Sequence, residues 1–110
     1  MLSKDKRLNL KKDFRWVASG KKLETRYLKL FIKHGENNQA RVGIASSKNF
    51  KKATERNRAR RLVAEAFRNT YYLLPNTINI VALPKQGVLK VKSSDVLLDL
   101  EQGLRKEKIF

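Results

Sequence analysis

The run from Lys52 to Arg61 reads Lys-Ala-Thr-Glu-Arg-Asn-Arg-Ala-Arg-Arg, the densest set of phosphate-binding side chains in the 110-residue chain. Guanidinium groups suit that chemistry because their rigid fork donates two parallel hydrogen bonds to phosphate oxygens. Asn57 adds an amide donor and an acceptor that can reach a phosphate or a base edge. At about 100° per residue on a helix, Arg60, Asn57, Arg61 and Arg58 fan across the side opposite Ala59, Leu62 and Val63. Arg68 extends that side two turns later, and Arg56 lies nearer the apolar side at the helix start. The crowding sets like charges at i,i+4, as with Arg56 and Arg60, and only Glu55 and Glu65 relieve it locally. A polyanionic partner removes that cost. The plainer alternative is a solvated basic helix face.

The charge of the whole chain favours the partner. Lys+Arg number 26 against 10 Asp+Glu, a formal net charge of +16. Residues 1–70 hold 20 of the basic and 6 of the acidic residues; residues 71–110 hold 6 and 4. A domain this basic repels itself, and solubilising surfaces normally mix both signs. The first two thirds of the chain therefore carry the electrostatic footprint of a nucleic-acid binder.

Catalysis by the protein itself finds little support. With no Cys, thiolate chemistry, disulfides and thiolate metal sites are excluded. The single histidine, His34, stands beside Gly35 with no second base near it, which reads as a surface turn residue. The ten acids are scattered, and none forms the close pair expected of a two-metal site. No catalytic or metal-binding residue is assigned. Met1 to Arg7 has charge but no apolar run behind it, so no secretory signal is expected. No stretch approaches the roughly 20 apolar residues that span a bilayer. A cytoplasmic protein with no membrane partner is expected.

The elements that must position these residues fit one domain over 1–110. A first helix is expected over Leu10–Ser19, capped by Asn9 and ended by Gly20, with Leu10, Phe14, Val17 and Ala18 as its stripe. Trp16 falls off that stripe. Tyr27–Lys33 alternates Leu28, Leu30 and Ile32 against Lys29, Phe31 and Lys33, the period of a half-buried strand. A turn with Gly35, Asn37 and Asn38 then leads to a strand from Arg41 to Ala45, and the two read as a hairpin. A short extra strand is possible at Lys22–Glu24. The longest helix runs from about Ala53 to Tyr72 on Ala59, Leu62, Val63, Ala66 and Phe67. Thr77–Leu83 is nearly all apolar, which suggests a central strand. The last helix is expected to start after Ser94 as N-cap, burying Val96, Leu97, Leu100 and Leu104. Helix, two or three strands, helix, strand, helix is an α+β or α/β sandwich.

Here the sequence resembles a known family, the protein component of bacterial ribonuclease P. Lys52, Arg56, Asn57, Arg58, Arg60 and Arg61 match its Arg-Asn-Arg signature and the basic positions around it. Arg41-Val42-Gly43-Ile44 and Ser46-Ser47-Lys48 lead into the motif at the family's spacing. Asp13-Phe14 upstream, Ala66-Phe67-Arg68 and Ile78–Ala82 downstream match as well. Departures are Ala18 where several relatives have an aromatic, Lys51 and Lys52 in place of small residues, and Glu55 in place of an apolar one.

The resemblance implies an α-β-β-β-α-β-α two-layer sandwich with a left-handed βαβ crossover through the central helix, against the general right-handed rule. It implies a subunit of the enzyme that removes the 5′ leader from precursor tRNA, one protein per catalytic RNA, with hydrolysis by the RNA and its bound Mg2+. The RNA subunit would meet Lys52, Arg56, Asn57, Arg58, Arg60, Arg61 and Arg68. The single-stranded leader would lie in a cleft between the first helix and the sheet, on Phe14 and Phe31, with Arg15, Lys29, Ser47 and Lys48 beside them. Aromatic faces flanked by cations are suited to single strands; the other reading of Phe14 and Phe31 is core packing. Competing readings of the whole chain are a ribosomal or other RNA-binding protein, a DNA-binding helix module that lacks its helix-turn-helix partner, and a stand-alone nuclease that lacks its acid and base.

Overall fold

The computed structural model describes residues 2–45 and 50–110. Seven elements follow in order: α1 (Leu10–Ala18), β1 (Lys21–Glu24), β2 (Leu28–His34), β3 (Arg41–Ile44), α2 (Ala53–Thr70), β4 (Ile78–Pro84) and α3 (Ser93–Lys106). Short 3-10 turns at Lys4–Lys6, Tyr71–Leu73 and Gln86–Lys90 fill the connections. This is the α-β-β-β-α-β-α order of the resemblance.

The sheet order is β1-β2-β4-β3, with β3 parallel to β4 and the other neighbours antiparallel. The expected β2–β3 hairpin is therefore not formed, because β4 lies between the two strands. The cause is the apolar run Ile78–Ala82, all of it buried; only a central strand has both faces covered. The Gly35–Ala40 connection spans the end of β4 instead of turning tightly. The Gly35 amide donates to the Thr77 carbonyl (2.9 Å), and the Asn37 amide donates to the carbonyls of Asn76 (2.9 Å) and Ile78 (3.3 Å). The buried Asn79 completes the junction by donating to Asn37 Oδ1 (2.9 Å). The β3–α2–β4 unit is the parallel crossover for which the resemblance implies a left-handed path.

One sheet face carries Leu28, Leu30 and Ile32 of β2 beside Ile78, Ile80 and Ala82 of β4, packed against α2 and α3. Val63 and Phe67 of α2 and Leu100 and Leu104 of α3 are fully buried there. Each such side chain contributes roughly 1.5–3 kcal/mol. Truncating Phe67 to Ala would cost about 3–5 kcal/mol, a large share of a typical 5–15 kcal/mol stability. The opposite face carries Lys29, Phe31 and Lys33 of β2, paired with Leu83, Val81 and Asn79 of β4. Among the described elements α1 crosses it, and Leu8, Val17 and Val81 form a second, much smaller buried cluster.

Two boundaries shift for local reasons. α2 ends at Thr70, whose hydroxyl donates to the Ala66 carbonyl (3.2 Å), and a 3-10 turn takes Tyr71–Leu73. α3 starts at Ser93, so Lys92 and not Ser94 holds the N-cap position. Asp95 three residues on accepts from the Lys92 amide (3.0 Å), the reach-back half of a capping box that satisfies the N-cap residue's own donor.

Candidate nucleic-acid interface

α2 presents Asn57, Arg58 and Arg61 to solvent, with Lys52 exposed at its N-cap position and Arg68 exposed near its end. Neither Arg58 nor Arg61 holds a side-chain hydrogen bond or ion pair with the described residues. Arg56 and Arg60 are only half-exposed. Arg56 Nη1 donates to the Phe50 carbonyl (2.7 Å), which fixes the chain where it enters the helix. Arg68 pairs with Glu65 (2.9 Å) one turn back. Arg60 departs from the expected fan: it sits on the flank toward β3, because Ala64 one turn later is buried and widens the apolar side beyond the expected stripe. Arg60 still shares a shallow concavity with Asn57 and Arg61, and the seven residues divide between an outward, solvent-facing set and a flank.

The second region is the uncovered part of the outer sheet face. Phe14 of α1 and Phe31 of β2 are both half-buried, packed against the Leu8–Val17–Val81 cluster. They therefore close that cluster while leaving aromatic surface open. Lys29, one step along the same face of β2, pairs with Glu24 of β1 on one side and Leu83 of β4 on the other. Lys22 pairs with Phe31 and comes to lie against Lys29. Contact with the Lys22 ammonium, then its charge, holds the Lys29 amine below the ordinary lysine range. The nearest carboxylate, Glu24, is claimed by Lys85 (2.7 Å), whose hydrogen bond and charge keep it below the usual glutamate range. Three ammonium groups thus face one carboxylate beside the two aromatics. Sequence reading missed Lys22 and Lys85; pairing β1 with β2 in register would have placed Lys22 opposite Phe31.

Arg15 is exposed on α1, next in sequence to Phe14. Ser47 and Lys48 lie outside the described residues. Trp16 stands two residues from Phe14, about 200° round the helix, and leans the other way. A side chain at Gly35 would place Cβ 2.8 Å from Trp16 Cη2, and the Lys33 ammonium lies 5.3 Å from the ring centroid. His34 is exposed and hydrogen-bonds the Thr77 hydroxyl (2.9 Å), away from both regions' cations. Among the described residues no group of three or more His, Asp or Glu side chains is placed to hold a metal ion, and no helix is long and apolar enough to cross a membrane.

The chain that builds this arrangement, a basic central helix on one side and an aromatic, cationic sheet face on the other, matches a family profile over nearly its whole sequence. The profile described as Ribonuclease P covers residues 2–108. The chain belongs to the ribonuclease P protein family. It is 39% identical over 80 residues to the ribonuclease P protein component of Pseudoalteromonas atlantica, a stretch covering 72% of this chain and 66% of that protein. To the Acinetobacter baylyi component it is 33% identical over 107 residues, covering 94% of this chain and 81% of that one. The solved RNase P protein of Thermotoga maritima superposes with a TM-score of 0.80 at 30% identity, over 91% of this chain and 96% of that one. Membership places the chain among the protein subunits of a tRNA-processing ribonuclease, with the enzyme's RNA as partner. The ribosomal-protein alternative is not favoured.

Proposed function

We propose that, within ribonuclease P, this chain uses its two regions for two RNAs. The exposed side of α2, with Lys52, Asn57, Arg58 and Arg61 outermost and Arg56, Arg60 and Arg68 beside them, binds phosphates of the RNA subunit. The outer sheet face, with Phe14, Phe31, Arg15 and Lys29, holds the single-stranded 5′ leader of precursor tRNA; Lys22 and Lys85 add charge to it, and Ser47 and Lys48 belong to the same proposal. The observation that carries this reading is Lys29. A lysine pressed against a second lysine, with the neighbouring Glu24 carboxylate engaged by Lys85, is an arrangement that an anion stabilises.

The chain's own part in the reaction is to bind and orient. Screening phosphate repulsion lets the folded RNA and its substrate approach at lower magnesium, and gripping the leader favours substrate over matured product. Hydrolysis is assigned to Mg2+ held by the RNA, as the family resemblance implies, with this chain supplying binding groups to the reaction. One protein per RNA and a cytoplasmic setting complete the reading.

The test is precursor-tRNA cleavage by a bacterial ribonuclease P RNA of compatible lineage at low magnesium. With the protein, cleavage should be restored at the mature 5′ end. Folded, RNA-bound protein that gives no stimulation would refute the reading.

A further inference from the structure

The chain ahead of α1 is a strap fastened along the free edge of β3. Arg7 bridges to Val42 in parallel register, and the Leu8 amide donates to the Val42 carbonyl (3.0 Å). Gln39 donates to the Asp5 carbonyl and carboxylate (3.1 Å each), and Lys6 lies 4.8 Å from the centroid of the Tyr71 ring. The Tyr71 hydroxyl in turn donates to the Ala40 carbonyl. Tethers to both β3 and the end of α2 make the strap a fixed wall.

Between this wall and α2 lies a groove of about 290 Å³, close to the lower end of small-ligand pockets. Its floor is Val42, Gly43 and Ile44 of β3, its near wall Leu8 and Leu10, its far wall Ala64. Two positions keep it open. A Cβ at Gly43 would sit 2.6 Å from Leu10 Cδ2, so any side chain there would drive Leu10 out of place. Ala64 stops one carbon from its backbone where a leucine would fill the space. Among the described residues the rim carries two guanidinium groups, Arg7 from the strap and Arg60 from α2. Arg60 also belongs to the concavity that holds Asn57 and Arg61, so the groove opens directly onto the outward basic side of the helix.

We infer that this groove is a base slot: it takes one unstacked nucleobase of the RNA subunit between Leu8–Leu10 and Ala64, while Arg7 and Arg60 hold the phosphates on either side. A site for phosphate alone would have no use for an aliphatic floor, and an apolar peptide would have none for two rim arginines. Single-stranded or bulged nucleotides present an apolar face and an anionic backbone together, and RNA recognition draws on such splayed bases. The slot deepens the reading of α2 as the RNA-subunit face and rests on it.

The experiment is a chemical-shift titration of the full-length protein with the four ribonucleoside 5′-monophosphates, and separately with inorganic phosphate, alongside RNA-subunit affinity for wild type and Ala64→Leu. Nucleotides should shift the amides of Leu8, Gly43 and Ala64, whereas inorganic phosphate should leave Gly43 and Ala64 in place. Ala64→Leu, which changes no charge, should abolish those nucleotide shifts and weaken RNA-subunit binding about tenfold. Nucleotide shifts that map elsewhere, or that phosphate reproduces, overturn the slot, and this arm stands on the wild type even if the variant fails to fold. A folded Ala64→Leu protein that binds the RNA subunit as wild type does also overturns it. Wild-type protein that does not bind the RNA subunit overturns the reading of α2 itself.

Discussion

The two regions proposed to meet RNA are built on opposite terms with the fold. On α2, Arg58 and Arg61 are exposed, lean on nothing described, and leave all packing to Ala59, Val63, Ala66 and Phe67 on the other side of the helix. On the outer sheet face, Phe14 and Phe31 belong to the proposed binding surface and pack against the Leu8–Val17–Val81 cluster at once. Charge can thus be removed from the helix with almost no structural consequence, while aromatic surface cannot be removed from the sheet without disturbing a small cluster built on Leu8, Val17 and Val81. The first region should fail in binding alone. The second should fail in binding and stability together.

The largest effect expected is on the helix side, and it needs no mutation. If α2 neutralises roughly five phosphates, the log–log dependence of RNA-subunit affinity on salt should have a slope near −4 to −5. That is a fall of about 500-fold between 50 and 200 mM monovalent salt. Filter binding or fluorescence titration would measure it, and a flat dependence would remove the electrostatic side of the comparison. Next in size, the double change Arg58→Ala and Arg61→Ala should weaken RNA-subunit binding by about 100-fold at low salt and make the slope shallower by about two. Thermal unfolding should stay within about 0.5 kcal/mol of wild type, as for surface changes that touch nothing. Unfolding that tracks the binding loss would show the helix charge to be structural after all.

Phe14→Ala sharpens the contrast from the other side. It should lower affinity for leader-bearing precursor tRNA about tenfold relative to leaderless tRNA, in line with a lost base stack of about 1–3 kcal/mol. It should also lower stability measurably, since the ring closes one side of the small cluster. A loss of about 3–5 kcal/mol in stability with an unchanged preference for the leader would make Phe14 a core residue and nothing more.

What the sequence disclosed follows the same division. The arginines of α2 were legible because they are contiguous, and the helix that carries them advertises itself through Ala59, Val63, Ala66 and Phe67 at i,i+3,i+4 spacing. The alternation of β2 and the unbroken apolar run of β4 were legible for the same local reason. Pairing was not. Nothing in Tyr27–Ala45 announces that Ile78–Ala82 will enter between its two strands, because strand partners are chosen by burial across long chain separations and leave no periodic mark. The strap escaped notice likewise: Leu2 and Leu8 are buried, yet stand singly among charged residues with no period to betray them. The proposed cleft draws on Phe14, Lys22, Lys29, Phe31 and Lys85, contributed by four segments. The sequence alone offered the first, third and fourth through the family resemblance, and concealed the two lysines that only sheet register brings in.

The smallest expected effect tests that register. Lys29 is held below the ordinary lysine range chiefly by contact with Lys22. In the window between its folded and unfolded values the unfolded chain binds more protons, so this residue's contribution makes stability rise with pH there. Below that window the two ammonium groups repel at some cost to the fold. An anionic leader between them favours the charged form, so binding should draw a proton onto Lys29 and weaken as pH climbs past its free titration point. Lys22→Ala removes the cause. The Lys29 amine, followed by NMR through its side-chain carbon shifts, should then titrate at higher pH, and the alkaline fall in leader affinity should move up with it. A Lys29 titration that does not move in Lys22→Ala would mean that the two side chains part in solution, leaving the cleft as two aromatics with scattered charge rather than a poised anion site.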